Sequence, residues 1–318
     1  MVLKGIVATT KVDAHNTRIT LAALEKAAED VNNGKYAISV GIEHDPTIIP
    51  IGKVTKAYVA KIDDTDYGLY FEQDMFSAYS TVIGGETYVM QKSLVDDRPL
   101  FSAALNSNNK LLVQTDSINF SSRDEAESFF KELSEEYDIE AGYIGRKSLI
   151  PDPELIFQLL EKTVVVLFAY LTSKSMVEKV GNHITDHALS ELDGLYNFVK
   201  KAIAKAAKQF VPANRPVTYI FTGKNEFVIE LVVQTTSPDV AIRAIKEDKL
   251  VGAINEIEKL RKYFPKFTKI QLLYNIETEN WEFNYIATET GEVIGTEKSY
   301  KKSVQKMELA FPQKTDVT

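Results

Sequence analysis

The sequence predicts an α+β protein in two parts, residues 1–147 and 151–318, joined near a linker at 142–148. Two observations carry this. The first half mixes short β-branched runs with one clear amphipathic helix, and the second half places a long helical pair before two β-hairpin patterns. An apolar content of 44% beside 26% charged residues excludes a wholly disordered chain and leaves ample material for a core.

Residues 3–12 are rich in β-branched side chains and read as a strand. Thr20 is a suitable N-cap for a helix over 21–31, with Leu21, Leu24 and Ala28 on one face, and Asn32-Asn33-Gly34 ends it. Strands follow over 37–42, 51–62 and 67–71, with a turn at Asp63-Asp64-Thr65-Asp66. Residues 85–95 are expected as a short helix, 99–105 as a strand and 111–120 as the strand after the Asn106-Ser107-Asn108-Asn109 turn. An acidic helix opens at Ser121-Ser122-Arg123-Asp124 and reaches about residue 137, with Ala126, Phe129, Phe130 and Leu133 as its apolar stripe.

In the second half, Asp152-Pro153-Glu154 has the form of a helix start, and the helix is expected to run to about Thr172. A second helix is expected from about 175 to 210, making an αα-hairpin. A β-hairpin turns at Gly223-Lys224-Asn225, and two helices follow over 239–245 and 249–263. A second hairpin pairs 267–277 with 281–287, where Trp281, Phe283 and Tyr285 alternate as if on one face. A lysine-containing segment, 298–306, closes the pattern.

The composition also excludes chemistries. With no cysteine there is no disulfide, thiolate nucleophile or cysteine-ligated metal. A net charge of −8 argues against broad nucleic-acid binding. The most apolar run, 163–171, is far shorter than the ~20 residues of a membrane span. The chain opens without a signal-peptide pattern, so a cytoplasmic protein with no membrane attachment is expected.

Four histidines are present: His15, His44, His183 and His187. His44 ends a strand and adjoins Asp45. The order Gly5-Ile6-Val7-Ala8-Thr9-Thr10, Asp13, Thr20-Leu21-Ala22-Ala23-Leu24, His44-Asp45, Ile51-Gly52-Lys53-Val54 and Gly68-Leu69-Tyr70 resembles the phage prohead (capsid maturation) serine protease family. The resemblance is clear over about residues 3–75 and weaker to about 120. It implies a herpesvirus-protease-like mixed β-barrel with flanking helices in the N-terminal part. It also implies that His44 is the catalytic base.

The family's nucleophilic serine falls, by position, at Ser102, with Ser93 as second choice; Asp116 is the candidate to orient the imidazole. A serine hydroxyl needs a neutral imidazole to take its proton, and that imidazole needs a third group to fix its tautomer. The Ser-Ile-Gly-Phe form is absent and no glycine follows Ser102. The sequence therefore reads first as a degenerate relative used for protein binding or assembly. An active serine endopeptidase acting on a peptide substrate through Ser102 and His44 is the alternative.

His183-Ile184-Thr185-Asp186-His187 puts two imidazoles at i and i+4 of a helix, the spacing of a shared metal. Ile184 stands where a zincin has its glutamate, so a metal-dependent hydrolase at His183 and His187 is the weaker alternative and ordinary helix histidines the favoured reading. No cofactor is expected. The apolar helix near 163–171 is the best candidate for a protein partner or for self-assembly, against burial under the C-terminal hairpins.

Overall fold

The structure is a computed structural model that describes residues 2–12, 18–101, 110–144, 153–176 and 186–310. Among them the chain is α+β, with seven α-helices and two sheets of four and ten strands.

The four-stranded sheet is built locally. It holds β1 (Val2–Thr9), β2 (Ser39–Val40), β3 (Gly52–Lys61) and β4 (Tyr67–Met75) in the antiparallel order β1-β4-β3-β2. Between β1 and β2 runs α1 (Leu21–Asn33). Thr20 caps it as expected, accepting from the Ala23 amide at 3.2 Å. Leu24 and Ala28 pack onto Ala57 and Leu69 of the sheet. Asn32 clamps the same place, its amide exchanging two 2.8 Å hydrogen bonds with the Ala57 backbone.

The helix expected at 85–95 is instead a hairpin, β5 (Ser77–Ile83) and β6 (Glu86–Lys92). Ile83 pairs with Glu86 across Gly84-Gly85, both at positive φ (62° and 84°). Two such glycines supply the tight left-handed turn that joins twisted strands, and this overrides the helical propensity of residues 86–95. The expected strand at 99–105 is not seen in its described part, residues 99–101.

Next come β7 (Leu111–Thr115), a 3₁₀ turn (Ser117–Asn119), α2 (Arg123–Glu136) and β8 (Ile139–Tyr143). β7 and β8 pair in parallel across α2. The helix expected from Asp152 is a further correction: Glu154–Gln158 is strand β9, and the helix α3 begins only at Glu161 and runs to Met176. Leu155 and Phe157 are fully buried on one face, while Ile156 and Gln158 point to the other. That two-residue alternation outweighed the Pro-Glu start signal. The helix expected from 175 begins, among the described residues, at Asp186: α4 (Asp186–Gln209), while Ser175 still belongs to α3.

The rest follows the expected order: β10 (Val217–Lys224), β11 (Val228–Thr235), α5 (Pro238–Ala244), α6 (Glu247–Tyr263), β12 (Phe267–Asn275), β13 (Asn280–Thr288), β14 (Val293–Thr296) and α7 (Glu297–Ala310). Both expected hairpins form, β10 with β11 and β12 with β13. β14 was not anticipated.

The large sheet has the order β5-β6-β14-β13-β12-β11-β10-β9-β7-β8. Strands from either side of residue 147 share it. One face carries the main core, where Phe129, Phe198, Ile203, Ile257 and Leu260 of the helices meet Phe157, Tyr219, Ile270 and Trp281. The apolar residues Val164, Phe168 and Leu171 of α3 belong to that core, as burial under the sheet would have them. The other face is partly covered by the 41–51 segment, the 96–101 segment and α7. Here Ala37, Ile49, Leu100, Tyr285 and Val293 form a small second core. None of the described helices is long and apolar enough to cross a membrane.

Candidate functional site

The helix-free face of the large sheet forms the floor of a cleft of about 520 Å³. Cross-strand register aligns its floor. Gln158 lies opposite Thr222, Thr222 opposite Glu230, Glu230 opposite Gln271, and Gln271 opposite Tyr285. A polar row thus runs unbroken across the strands β9 to β13. Gln114 on β7 sits beside Ile156 on the next row. The walls are His44, Pro46 and Ile48 on one side and Leu100 and Phe101 on another.

The row ends on Tyr285 because of a β-bulge. Leu272 pairs with Phe283 but Gln271 pairs with Tyr285, so Asn284 is the extra residue. Phe283 joins the helix-side core, whereas Asn284 and Tyr285 both reach the cleft side. The even alternation of Trp281, Phe283 and Tyr285 expected from the sequence is broken there.

Lys269 is the buried cation of the site. Its Nζ lies 2.9 Å from Glu230 Oε1 and 4.4 Å from the centroid of the Phe101 ring. Burial alone would lower its pKa, but the Glu230 carboxylate and Tyr285 outweigh that and hold it above the usual lysine value. Burial pushes the Tyr285 phenol up to about 12, against the pull of the Lys269 cation. Gln271 donates to Glu230 Oε1 (2.5 Å) and to the Pro46 carbonyl (2.9 Å), and Asn284 donates to Gln271 Oε1 (2.5 Å) and the Thr47 carbonyl (3.3 Å). This amide chain fastens the 45–47 segment to the sheet.

His44 lies on the rim, in a turn closed by the Asp45 amide donating to the Ile42 carbonyl at 2.9 Å. Both central residues, Glu43 and His44, are left-handed, at φ 51° and 58°. Side chains at such φ cost roughly 1–2 kcal/mol each. The turn is anchored by Ile42 in a small apolar cluster with Ile48 and Ile51. Asp45 Oδ1 accepts from the Thr47 amide (2.9 Å) and hydroxyl (2.6 Å), and Asp45 Oδ2 is 3.4 Å from Lys306 of α7. Lys302 of α7 donates to the Thr47 hydroxyl at 2.7 Å. Asp45 therefore orders its own turn and docks α7.

Of the residues singled out from the sequence, His44 lines this cleft and Ser102 lies outside the described residues, although its neighbour Phe101 lines the cleft too. Asp116 sits at the end of β7, outside the cleft lining, where its Oδ1 accepts from the Ile118 amide at 3.0 Å and caps the 3₁₀ turn. Ser93 donates to Asp74 Oδ2 at 2.6 Å and accepts from the Asp96 amide, a turn-forming role. His183 lies outside the described residues and His187 falls in the first turn of α4, its side chain not described. Among the described residues no group of three His, Asp or Glu converges as a metal site.

Sequence reasoning passed over Lys269, Glu230 and Gln271. Their signal was present: charged or amide side chains at alternate positions of otherwise apolar strands, Lys269 and Gln271 flanking Ile270, mark a second, polar sheet face.

No family model matches the chain, and neither the curated proteins nor the solved structures give a match.

Proposed function

We propose that the protein is a non-catalytic recognition protein, phage-related and derived from the prohead-protease-like barrel that its first 75 residues resemble. In this reading it takes a segment of a protein partner, or of a second copy of itself, into the cleft above the polar row, and it works in the cytoplasm. The observation that supports it is how the acidic groups of the cleft are engaged. Glu230 is tied to Lys269 and Gln271, and Asp45 to Thr47 and Lys306. What the floor offers a ligand is amides and apolar surface, Gln114, Ile156 and Gln158. Such lining suits the backbone and side chains of an extended polypeptide. A displayed library of extended peptides, selected on wild type and counter-selected on Gln158→Trp, tests this. Sequences that bind wild type and lose binding to the variant support the reading. Equal binding to both, or no enrichment, overturns it.

A serine endopeptidase is the second reading, favoured by one observation: His44 and Phe101, the residue before Ser102, line the same cleft. Intact mass after treatment with a fluorophosphonate separates the two. Labelling of wild type that vanishes in Ser102→Ala and His44→Ala makes the peptidase reading primary. A folded wild type without label leaves the recognition reading in place.

A further inference from the structure

A cavity of about 890 Å³ beside β14 is a separate feature. β14 lies between β13 and β6, antiparallel to both. It is short because Thr296 leaves the sheet and caps α7, its hydroxyl accepting from the Ser299 amide at 3.0 Å. Its flanking strands continue. Pairing of β13 with β14 stops at Tyr285, yet β13 extends back to Asn280; pairing of β6 stops at Tyr88, yet β6 extends back to Glu86. Where β14 sits, its neighbours are two strand spacings apart, about 9.6 Å. The cavity continues that gap and is lined from both strands, by Glu86 of β6 and by Trp281 to Asn284 of β13.

The two faces of the gap differ in charge. On the helix side stand Glu86, Glu256, Trp281 and Phe283, with Tyr274, whose buried hydroxyl lacks a hydrogen-bond partner. Burial raises the Glu256 carboxyl, Lys259 opposes this, and Glu86 adds to it. Lys259 is the resident cation, 2.8 Å from Glu86 and 3.9 Å from Glu256, and one ammonium shared by two carboxylates leaves a net negative charge for a second cation. On the α7 side stand Lys298, paired with Glu282 at 3.0 Å, and Ser299 and Lys302, so one positive charge is left in excess there.

We infer that this gap is a slot for an extended peptide strand of a partner, which continues β14 between β13 and β6 and presents basic side chains to Glu86, Glu256 and Trp281. The slot is distinct from the cleft on the other part of the sheet and does not depend on its role. Both edges of the inserted strand meet a sheet edge, so its backbone amides supply affinity, while alternate side chains supply selectivity. A guanidinium on the helix side meets two carboxylates and an aromatic face. The α7 side takes hydroxyl or acidic side chains.

Trp281 is the single tryptophan of the chain, so its fluorescence reads occupancy directly. The probe is the end-blocked peptide Thr-Arg-Thr-Arg-Thr, titrated beside the same peptide N-methylated at both arginines and beside Thr-Glu-Thr-Glu-Thr. A saturable change is expected with the first alone, with both controls at least about tenfold weaker, and about tenfold weaker binding to the conservative variant Glu256→Gln. Equal binding of the N-methylated peptide means surface charge attraction and overturns strand addition. Unchanged affinity in a folded Glu256→Gln overturns the site, and no fluorescence change up to millimolar peptide overturns both.

Discussion

Lys269 and Glu230 pair at 2.9 Å on adjacent strands, beneath the Phe101 ring and almost out of reach of water. The pair is diagonal, since Lys269 lies opposite Val228 and Glu230 opposite Gln271. It is the electrostatic centre of the cleft floor, and each partner depends on the other for its charge to be tolerated.

Removing one partner is therefore expected to cost far more than removing both. Glu230→Gln leaves the Lys269 ammonium buried beside a neutral amide, and a loss of about 3–5 kcal/mol is expected from urea unfolding. Glu230→Leu with Lys269→Met is expected to recover most of it. Equal losses in the single and double variants would show that the pair is not coupled.

Lys53 carries the opposite pH signature. It is 0% exposed, with Nζ donating to the Asp96 (2.6 Å) and Arg98 (2.8 Å) carbonyls. Burial lowers its pKa, with Asp96 as the main opposing influence. Between the lowered value and the ordinary lysine value of about 10.4 the unfolded chain binds more protons than the folded one. Stability from this group thus rises with pH across that window. Lys269, held above the ordinary value, contributes stability below about pH 10.4 that is lost as pH rises through its folded pKa. Unfolding between pH 8 and about 10.4 is expected to show a more negative pH slope in Lys53→Met than in wild type. An unchanged slope would assign the proton release elsewhere.

Local signals were legible and non-local ones were not. Thr20 and Ser122 cap their helices as the sequence indicates, because a cap depends on neighbours within one turn. The Asp152-Pro153-Glu154 start signal failed because Leu155 and Phe157 find their burial against β10, more than sixty residues later in the chain. β14 is four residues long, and its pairing with β6 joins Thr296 to Tyr88, segments far apart in the sequence. At the candidate site His44 was visible as a residue type beside a turn. The polar row was not, because it exists only once five strands are in register.

Gly84 tests the hairpin that replaced the expected helix. Its φ is +62°, and a Cβ there would come within 2.5 Å of the Tyr263 ring at the end of α6. Gly84→Ala combines left-handed strain of about 1–2 kcal/mol with displacement of that ring. A fall in stability of at least that size is expected. Gly85, also left-handed but with open space around it, is expected to lose only the conformational part in Gly85→Ala. Equal losses at the two positions would show that Tyr263 yields without cost.

Asn284 sets the phase of the cleft. As the extra residue of the β13 bulge, it lets Phe283 face the helices and Tyr285 face the cleft, two residues on. Asn284→Ala keeps the bulge but removes the donor to Gln271 Oε1 and the Thr47 carbonyl, and a loss of about 1–3 kcal/mol is expected. Deleting Asn284 is a different perturbation. A one-residue slip moves side chains to the opposite face, so either Tyr285 leaves the cleft or Trp281 and Phe283 leave the core. Deletion is expected to unfold the β12–β13 hairpin, read by hydrogen exchange across 267–288. A deletion variant with native exchange protection and the same stability as Asn284→Ala would mean that the bulge does not fix the register of Tyr285.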